Sequence, residues 1–293
     1  MAATGSVAAA GGRYGTISRG HHWRAAVAVF RREWAVRLRY PTEFVGLAVW
    51  PVLFPAVYVF AARALAGPDG EALAVFQSRA GTADYVGYIL FGTMLWMVLN
   101  ITLWNLGGHL RREQVRGTLE ACWTTPAPRI ALLMGASLAQ LSQAALYLVV
   151  AGLTLRVVYG FQLYGNPALL LILLVLSLLT VVGLGLVFAS LVLWLKETDS
   201  LVFLVRGIFM VFSGITFPVE VLPDWMRAVS TALPLTYAIR SMRAVGLAGA
   251  GWGDVQADAA VLAVFAVVFL VAGGLAFRAV ERMSRQAGTL SHY

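Results

Sequence analysis

A chain of 293 residues that is 60% hydrophobic and only 12% charged is too apolar for water, since soluble domains carry about 45–50% apolar and about 25% charged residues. The apolar residues come in blocks of roughly twenty with almost no charge inside them, the length that crosses about 30 Å of hydrocarbon as a helix. Soluble globules, disordered chains, collagen and coiled coils are excluded, and the chain reads as an all-α polytopic membrane protein. The net charge of +8 would raise the question of nucleic acid in a soluble protein; here its sidedness matters more, and no nucleic-acid partner is expected. A single cysteine, Cys122, excludes an intramolecular disulfide, and four histidines without ligand spacing imply no metal.

In chain order, residues 1–20 read as a disordered Gly/Ala/Ser tail without the apolar core of a signal peptide. Residues 21–40 follow as an amphipathic helix: Trp23, Val27, Phe30, Trp34 and Leu38 recur at helical spacing while Arg24, Arg31, Arg32 and Arg39 take other faces, and Pro41 stops it. Such a helix lies in the membrane interface, as an anchor or as a lateral gate. A transmembrane domain over 41–280 carries spans at 44–62, 85–106, 130–155, 167–195, 201–217 and 259–277, and 281–293 form a tail. Only the fifth span holds a charge, Arg206. Six spans put both termini on one side; fifteen basic residues fall there against six on the other, so the termini are expected in the cytoplasm.

The polar groups available within the spans are Asn100, Asn105, Gln140, Gln143, Tyr147, Arg206, Ser213 and Thr216. Each is a candidate for lining a translocation path or for bonding a neighbouring helix. Pro51 and Pro55 should kink the first span, and Gly183 and Gly185 should let helices approach closely. Between spans two and three, Val115, Leu119, Cys122 and Trp123 form an apolar stripe, with Glu113, Arg116 and Glu120 elsewhere and Pro126 and Pro128 ending the helix. This short helix is either a lever for a cytoplasmic partner or a solvated loop helix. Outside the membrane, residues 218–258 hold Pro218, Pro223 and Pro234, then a helical pattern with Leu235, Ile239, Met242 and Val245 on one side and Tyr237, Arg240 and Arg243 off it. That segment is either a re-entrant hairpin or an interfacial helix lying flat.

Energy coupling is informative by omission. No acidic residue lies within a predicted span, which argues against proton- or sodium-driven transport. The only lysine, Lys196, is followed by Glu197, so there is no GxxxxGK[ST] loop, and any ATP must be bound by another polypeptide. No paired carboxylates or Ser/His/Asp set converge, and the chain is not expected to be an enzyme by itself.

The runs RREQVRGTLEACWTTPAPR, FSGITFPVEVLPDWM and ALPLTYAIRSMRAVGL resemble, in order and spacing, the membrane subunits of ABC-2 type exporters. The resemblance is greatest to daunorubicin-resistance-type drug export permeases and to nodulation-factor and polysaccharide export permeases. It implies a six-helix permease in the bacterial cytoplasmic membrane that pairs with a second copy and with two cytosolic ATP-binding subunits, which carry the ATP and Mg. It makes Arg111, Arg112, Glu113, Val115, Arg116, Gly117, Thr118, Leu119, Glu120 and Trp123 the coupling helix, and Pro218, Pro223, Trp225, Pro234 and Tyr237 a re-entrant gate. Spans one, two and five of two copies would enclose the path. The expected function is export of an amphipathic drug, natural product or lipid-linked molecule by alternating access. The alternatives are export of a polysaccharide or lipo-oligosaccharide, or a membrane-embedded enzyme or scaffold without transport.

Overall fold

Proline sets three helix starts. Pro41, Pro167 and Pro234 each occupy a first helical position, where a fixed φ helps and the missing N–H has no partner to lose. The computed structural model describes residues 19–65, 71–115, 129–195 and 198–287, which are helical almost throughout and contain no strand. The helices are α1 (Arg19–Leu38), α2 (Pro41–Leu65), α3 (Glu71–Ala80), α4 (Tyr85–Thr102), α5 (His109–Val115), α6 (Arg129–Tyr159), α7 (Pro167–Leu195), α8 (Asp199–Phe212), α9 (Asp224–Thr231), α10 (Pro234–Ala248) and α11 (Trp252–Ala287). A π-turn, Leu103–Gly107, joins α4 to α5, and a 3₁₀ turn, Val219–Val221, precedes α9.

Among the described residues, five helices are long and apolar enough to cross a membrane: α2, α4 with its continuation to Glu113, α6, α7 and α11. The fifth predicted span differs. Helix α8 has 14 residues and stops at Phe212, about 21 Å at 1.5 Å per residue, because Ser213 and Gly214 turn the chain and Gly214 takes φ +68°. The sixth predicted span also shifts: α11 begins at Trp252 rather than Ala259 and runs 36 residues, taking Asp254 and Asp258 into the helix. Asp258 is buried there because Arg240 of α10 pairs with it. The helix predicted over 21–40 is found as α1, and the predicted C-terminal tail is helical as far as Ala287.

Helix α4 is the pillar, buried on nearly every face from Gly87 to Leu99. Helices α7 and α11 run parallel beside it: Thr180 donates to the Leu262 carbonyl at 3.1 Å, and Gly183 and Gly273 bring the backbones together at Phe269–Leu270 and Leu186–Val187. Gly185 similarly admits Thr102 and Leu106 of the pillar, the close approach expected of these glycines. Since α7 and α11 point the same way, the chain between them returns across the bundle. Helix α8 makes that return antiparallel to α4, with Phe203 against Trp104 and Arg206 against Trp96. Helix α10 starts mid-bundle, Pro234 and Leu235 sharing a small void with Leu99, Thr180, Phe209 and Leu262. It ends beside the α6–α7 connection, where the Tyr164 amide donates to the Gly246 carbonyl at 2.9 Å.

Helix α1 runs alongside the first half of α6. Ala26 and Val29 crowd Gly135, and the Trp34 indole donates to Ser142 at 2.9 Å. The expected apolar stripe is therefore rotated: Trp23 and Leu38 at its ends are exposed, and Ala26 is the buried contact.

Candidate functional site

A cavity of about 630 Å³ opens between the α1–α2 junction, the first half of α2, the second half of α4 with the π-turn, the middle of α6 and the middle of α8. Aromatic rings make its walls. Phe54 stacks on Trp96 at 4.8 Å, and the Arg206 guanidinium lies 5.4 Å from the Trp96 ring and 5.1 Å from Phe203. The Trp96 indole is itself fixed, donating to the Arg206 carbonyl at 3.2 Å. Trp50, Trp104 and Tyr147 complete the aromatic lining.

The polar atoms sort into two groups. Asn105 donates to Gln143 at 3.0 Å and Gln140 donates to Thr102 at 3.1 Å, so these amides tie α4 to α6. By contrast, Asn100 Oδ1 and the Tyr147 hydroxyl are buried with no hydrogen-bond partner among the described residues, and both residues line the cavity. Arg37 also lines it, with one guanidinium nitrogen buried and unpartnered, and burial lowers its pKa despite Glu33 and Glu43 nearby. A buried donor or acceptor without a partner is costly, about 1–3 kcal/mol, and these atoms carry that cost at the cavity wall.

Below this cavity the π-turn leaves helical carbonyls unpaired, and Arg112 reaches back to them, donating to Trp104 at 2.8 Å and Asn105 at 2.6 Å. Glu113 faces α1, accepting from Arg32 at 2.8 Å. Burial works against the Arg32 charge, but hydrogen bonds to Glu33 and Glu113 outweigh it and hold its pKa above the ordinary guanidinium value. The described start of the predicted coupling segment is thus tied to the cavity floor on one side and to α1 on the other. Val115 ends α5; Arg116, Gly117, Thr118, Leu119, Glu120 and Trp123 lie outside the described residues.

A family profile for the ABC-2 type transporter matches residues 24–247, from α1 to the last turn of α10. The chain belongs to that family. Among its relatives, the linearmycin resistance permease protein LnrN of Bacillus subtilis is 31% identical over 120 residues, 40% of this chain and 30% of that protein. The inner membrane transport permease YhhJ of Escherichia coli is 26% identical over 230 residues, 76% of this chain and 59% of that protein. The chain therefore spans less than two thirds of the length of either relative. It is a multi-pass membrane permease, and the matched stretch contains the cavity and the segment below it.

Of the eight residues singled out in the spans of this ABC-2 permease, five meet at the cavity: Asn100, Asn105, Gln143, Tyr147 and Arg206. Gln140 stands behind the wall, Ser213 lines a second cavity at the opposite end, and Thr216 lines neither. The proline-rich segment is spread out. Pro218 is buried, Pro223 caps α9, Trp225 is exposed and packs edge-on to Phe212, Pro234 opens α10, and the Tyr237 hydroxyl donates to the Thr231 carbonyl at 2.8 Å. Sequence reasoning missed Arg37, Trp50, Phe54, Trp96 and Trp104, because it looked for polar atoms in apolar spans. The signal was available in the tryptophans themselves.

Arg243 is the other correction. Expected off the apolar side of its helix, it is buried at 7% exposure and has no carboxylate partner among the described residues. Its guanidinium donates to the carbonyls of Tyr88 at 3.0 Å, Gly214 at 2.8 Å and Ile215 at 2.5 Å, and lies 3.4 Å from the Tyr88 ring. Two of these carbonyls stand just past the C-terminus of α8, where backbone acceptors lack helical partners and the helix dipole favours a cation. Gly92 permits the approach, since a Cβ there would collide with the Ile215 carbonyl and the Arg243 guanidinium.

Proposed function

We propose that this permease is the membrane subunit of an ATP-driven exporter, and that the tryptophan-lined cavity receives an amphipathic molecule on the cytoplasmic side. The observation that carries the reading is that cavity: flat aromatic walls beside two arginines and two unpartnered buried polar atoms, in a chain of the ABC-2 family. Aromatic faces take apolar and cationic ligands of varied shape, while Asn100, Tyr147, Arg37 and Arg206 supply orientation. A relative named for linearmycin resistance supports a drug-like or natural-product substrate.

In this reading α8 is a sixth crossing, both termini are cytoplasmic, and α9 with the start of α10 forms a re-entrant segment on the outer side. The parallel course of α7 and α11, the mid-bundle start of α10 and the charge asymmetry of the loops support it. The exposed face of α2, with Trp50, Leu53, Val57 and Phe60 in helical register, is the surface for a second copy of the permease. Two cytosolic subunits bind ATP and Mg and dock on the segment from Arg111 to Trp123. Because Arg112 and Glu113 tie that segment to the cavity floor and to α1, a push from the ATPase reaches the cavity by alternating access.

The test is dye efflux and antibiotic survival in cells expressing the permease with its ATPase. Arg206→Leu and Tyr147→Phe are expected to slow efflux about tenfold while expression stays normal, the size of one lost charged or buried hydrogen-bonding contact. Glu120→Arg should abolish both efflux and co-purification of the ATPase. Wild-type efflux in all three variants rejects the reading, and absence of efflux in the wild type favours an enzyme or scaffold.

A further inference from the structure

We propose that the second cavity, at the end of the bundle formed by α3, α9 and α10, is a binding site for an oxyanion, a phosphate or carboxylate group carried on a small polar body. It goes beyond the transport reading and does not depend on it.

The cavity has a volume of about 460 Å³. Four arginines line it, Arg79, Arg227, Arg240 and Arg243, against a single acidic residue, Glu220, among the described residues. Arg227 and Arg240 pair with Asp224 and Asp258, but neither aspartate is part of the lining. An arginine offers five N–H donors; Arg243 spends three on carbonyls and Arg240 two on Asp258. Arg79 is exposed, and among the described residues its side chain makes no hydrogen bond or ion pair.

A second observation is independent of charge. Ser213 and Thr236 line the same cavity at 1% and 6% exposure, and neither hydroxyl oxygen has a hydrogen-bond partner among the described residues. Two buried hydroxyls left unpaired beside a surplus of guanidinium donors is the arrangement that an oxyanion completes, since its oxygens accept from hydroxyl and guanidinium donors alike. Guanidinium groups favour phosphate and carboxylate because the planar fork matches two oxygens. A cation is repelled, and an apolar ligand leaves the hydroxyls unpaired. The group can arrive on a phospholipid headgroup or on a free phosphorylated solute, and the chemistry of recognition is shared.

Binding to the purified full-length permease, in detergent without anionic lipid and at about 150 mM salt to screen exposed charges, tests the assignment. The probes are inorganic phosphate and dihexanoyl-phosphatidylglycerol. Three variants are compared: Arg79→Gln, the double variant Ser213→Ala/Thr236→Val, and Arg156→Gln, which removes an exposed arginine that does not line the cavity. Saturable binding that weakens about tenfold in each of the first two and is unchanged in Arg156→Gln supports the site. Tighter binding of the phosphatidylglycerol identifies a headgroup, and equal or tighter binding of phosphate identifies a solute. No saturable binding of either probe, no loss in the cavity variants, or equal loss in Arg156→Gln overturns it. Thermal unfolding of each variant near the wild-type temperature excludes misfolding as the cause.

Discussion

The two cavities differ in how their polar atoms are spent. In the tryptophan cavity the fixed elements are rings, and the atoms left over are single polar groups, Asn100 Oδ1 and the Tyr147 hydroxyl, set among carbon. In the arginine cavity the fixed element is a charge: Arg243 holds α4, α10 and the turn after α8 through three carbonyls. Aromatic walls are held by dispersion and can repack, whereas a buried guanidinium has few alternative arrangements that satisfy its donors. One end is thus built to adapt and the other to stay in place, and both are strung on α4, which contributes Trp96 and Asn100 to the tryptophan cavity and Tyr88 to the arginine cavity, while α8 reaches the former through Arg206 and the turn after it reaches the latter.

That contrast can be broken most directly at Arg243. Arg243→Leu leaves three carbonyls without their donor, at about 1–3 kcal/mol each, and is expected to lower the yield of folded permease and its thermal midpoint in detergent more than any other single change. A wild-type midpoint would show that this end is not held by the charge. The next effect in size belongs to Trp96→Ala. Truncating a buried tryptophan costs about 3–5 kcal/mol, but Trp96 borders a cavity into which neighbours can relax, so about 3 kcal/mol is expected from denaturant or thermal unfolding, with efflux of larger dyes retained. If Trp96→Ala destabilises as strongly as Arg243→Leu, the two ends are equally rigid. The smallest change is Trp34→Phe, which removes only the hydrogen bond to Ser142 between α1 and α6. It should cost about 1 kcal/mol and sharpens the contrast by measuring how firmly the wall next to the tryptophan cavity is anchored.

Much of this was legible in the sequence, for reasons that differ by region. Long charge-free blocks marked α2, α4, α6, α7 and α11, because a span must satisfy its backbone internally and exclude charge throughout its length. The same rule misplaced the start of α11: Asp254 and Asp258 look like loop residues until Arg240, from another helix, neutralises the second. Helix α8 was drawn too long because hydropathy continues through Ile215 and Phe217 while the backbone turns at Gly214. The burial of Arg243 was not readable from periodicity, since α10 is enclosed by α4, α7 and α11 and has less free surface than an amphipathic helix assumes. At the cavity, asparagine, glutamine and tyrosine in apolar spans stood out by their cost. The tryptophans did not, because an aromatic residue in a span is ordinary and only the packing of four helices makes a chamber of them.

The π-turn between α4 and α5 has a consequence for how rotation is divided along this rod. A π-turn carries one residue more than an α-turn, and one residue in an α-helix corresponds to about 100° of azimuth. Helix α5 is therefore out of phase with the pillar before it: Glu113 meets Arg32 of α1, while Trp96 and Thr102 of α4 meet α8 and α7. Arg112, bound to the Trp104 and Asn105 carbonyls of that turn, ties the start of α5 back across the offset.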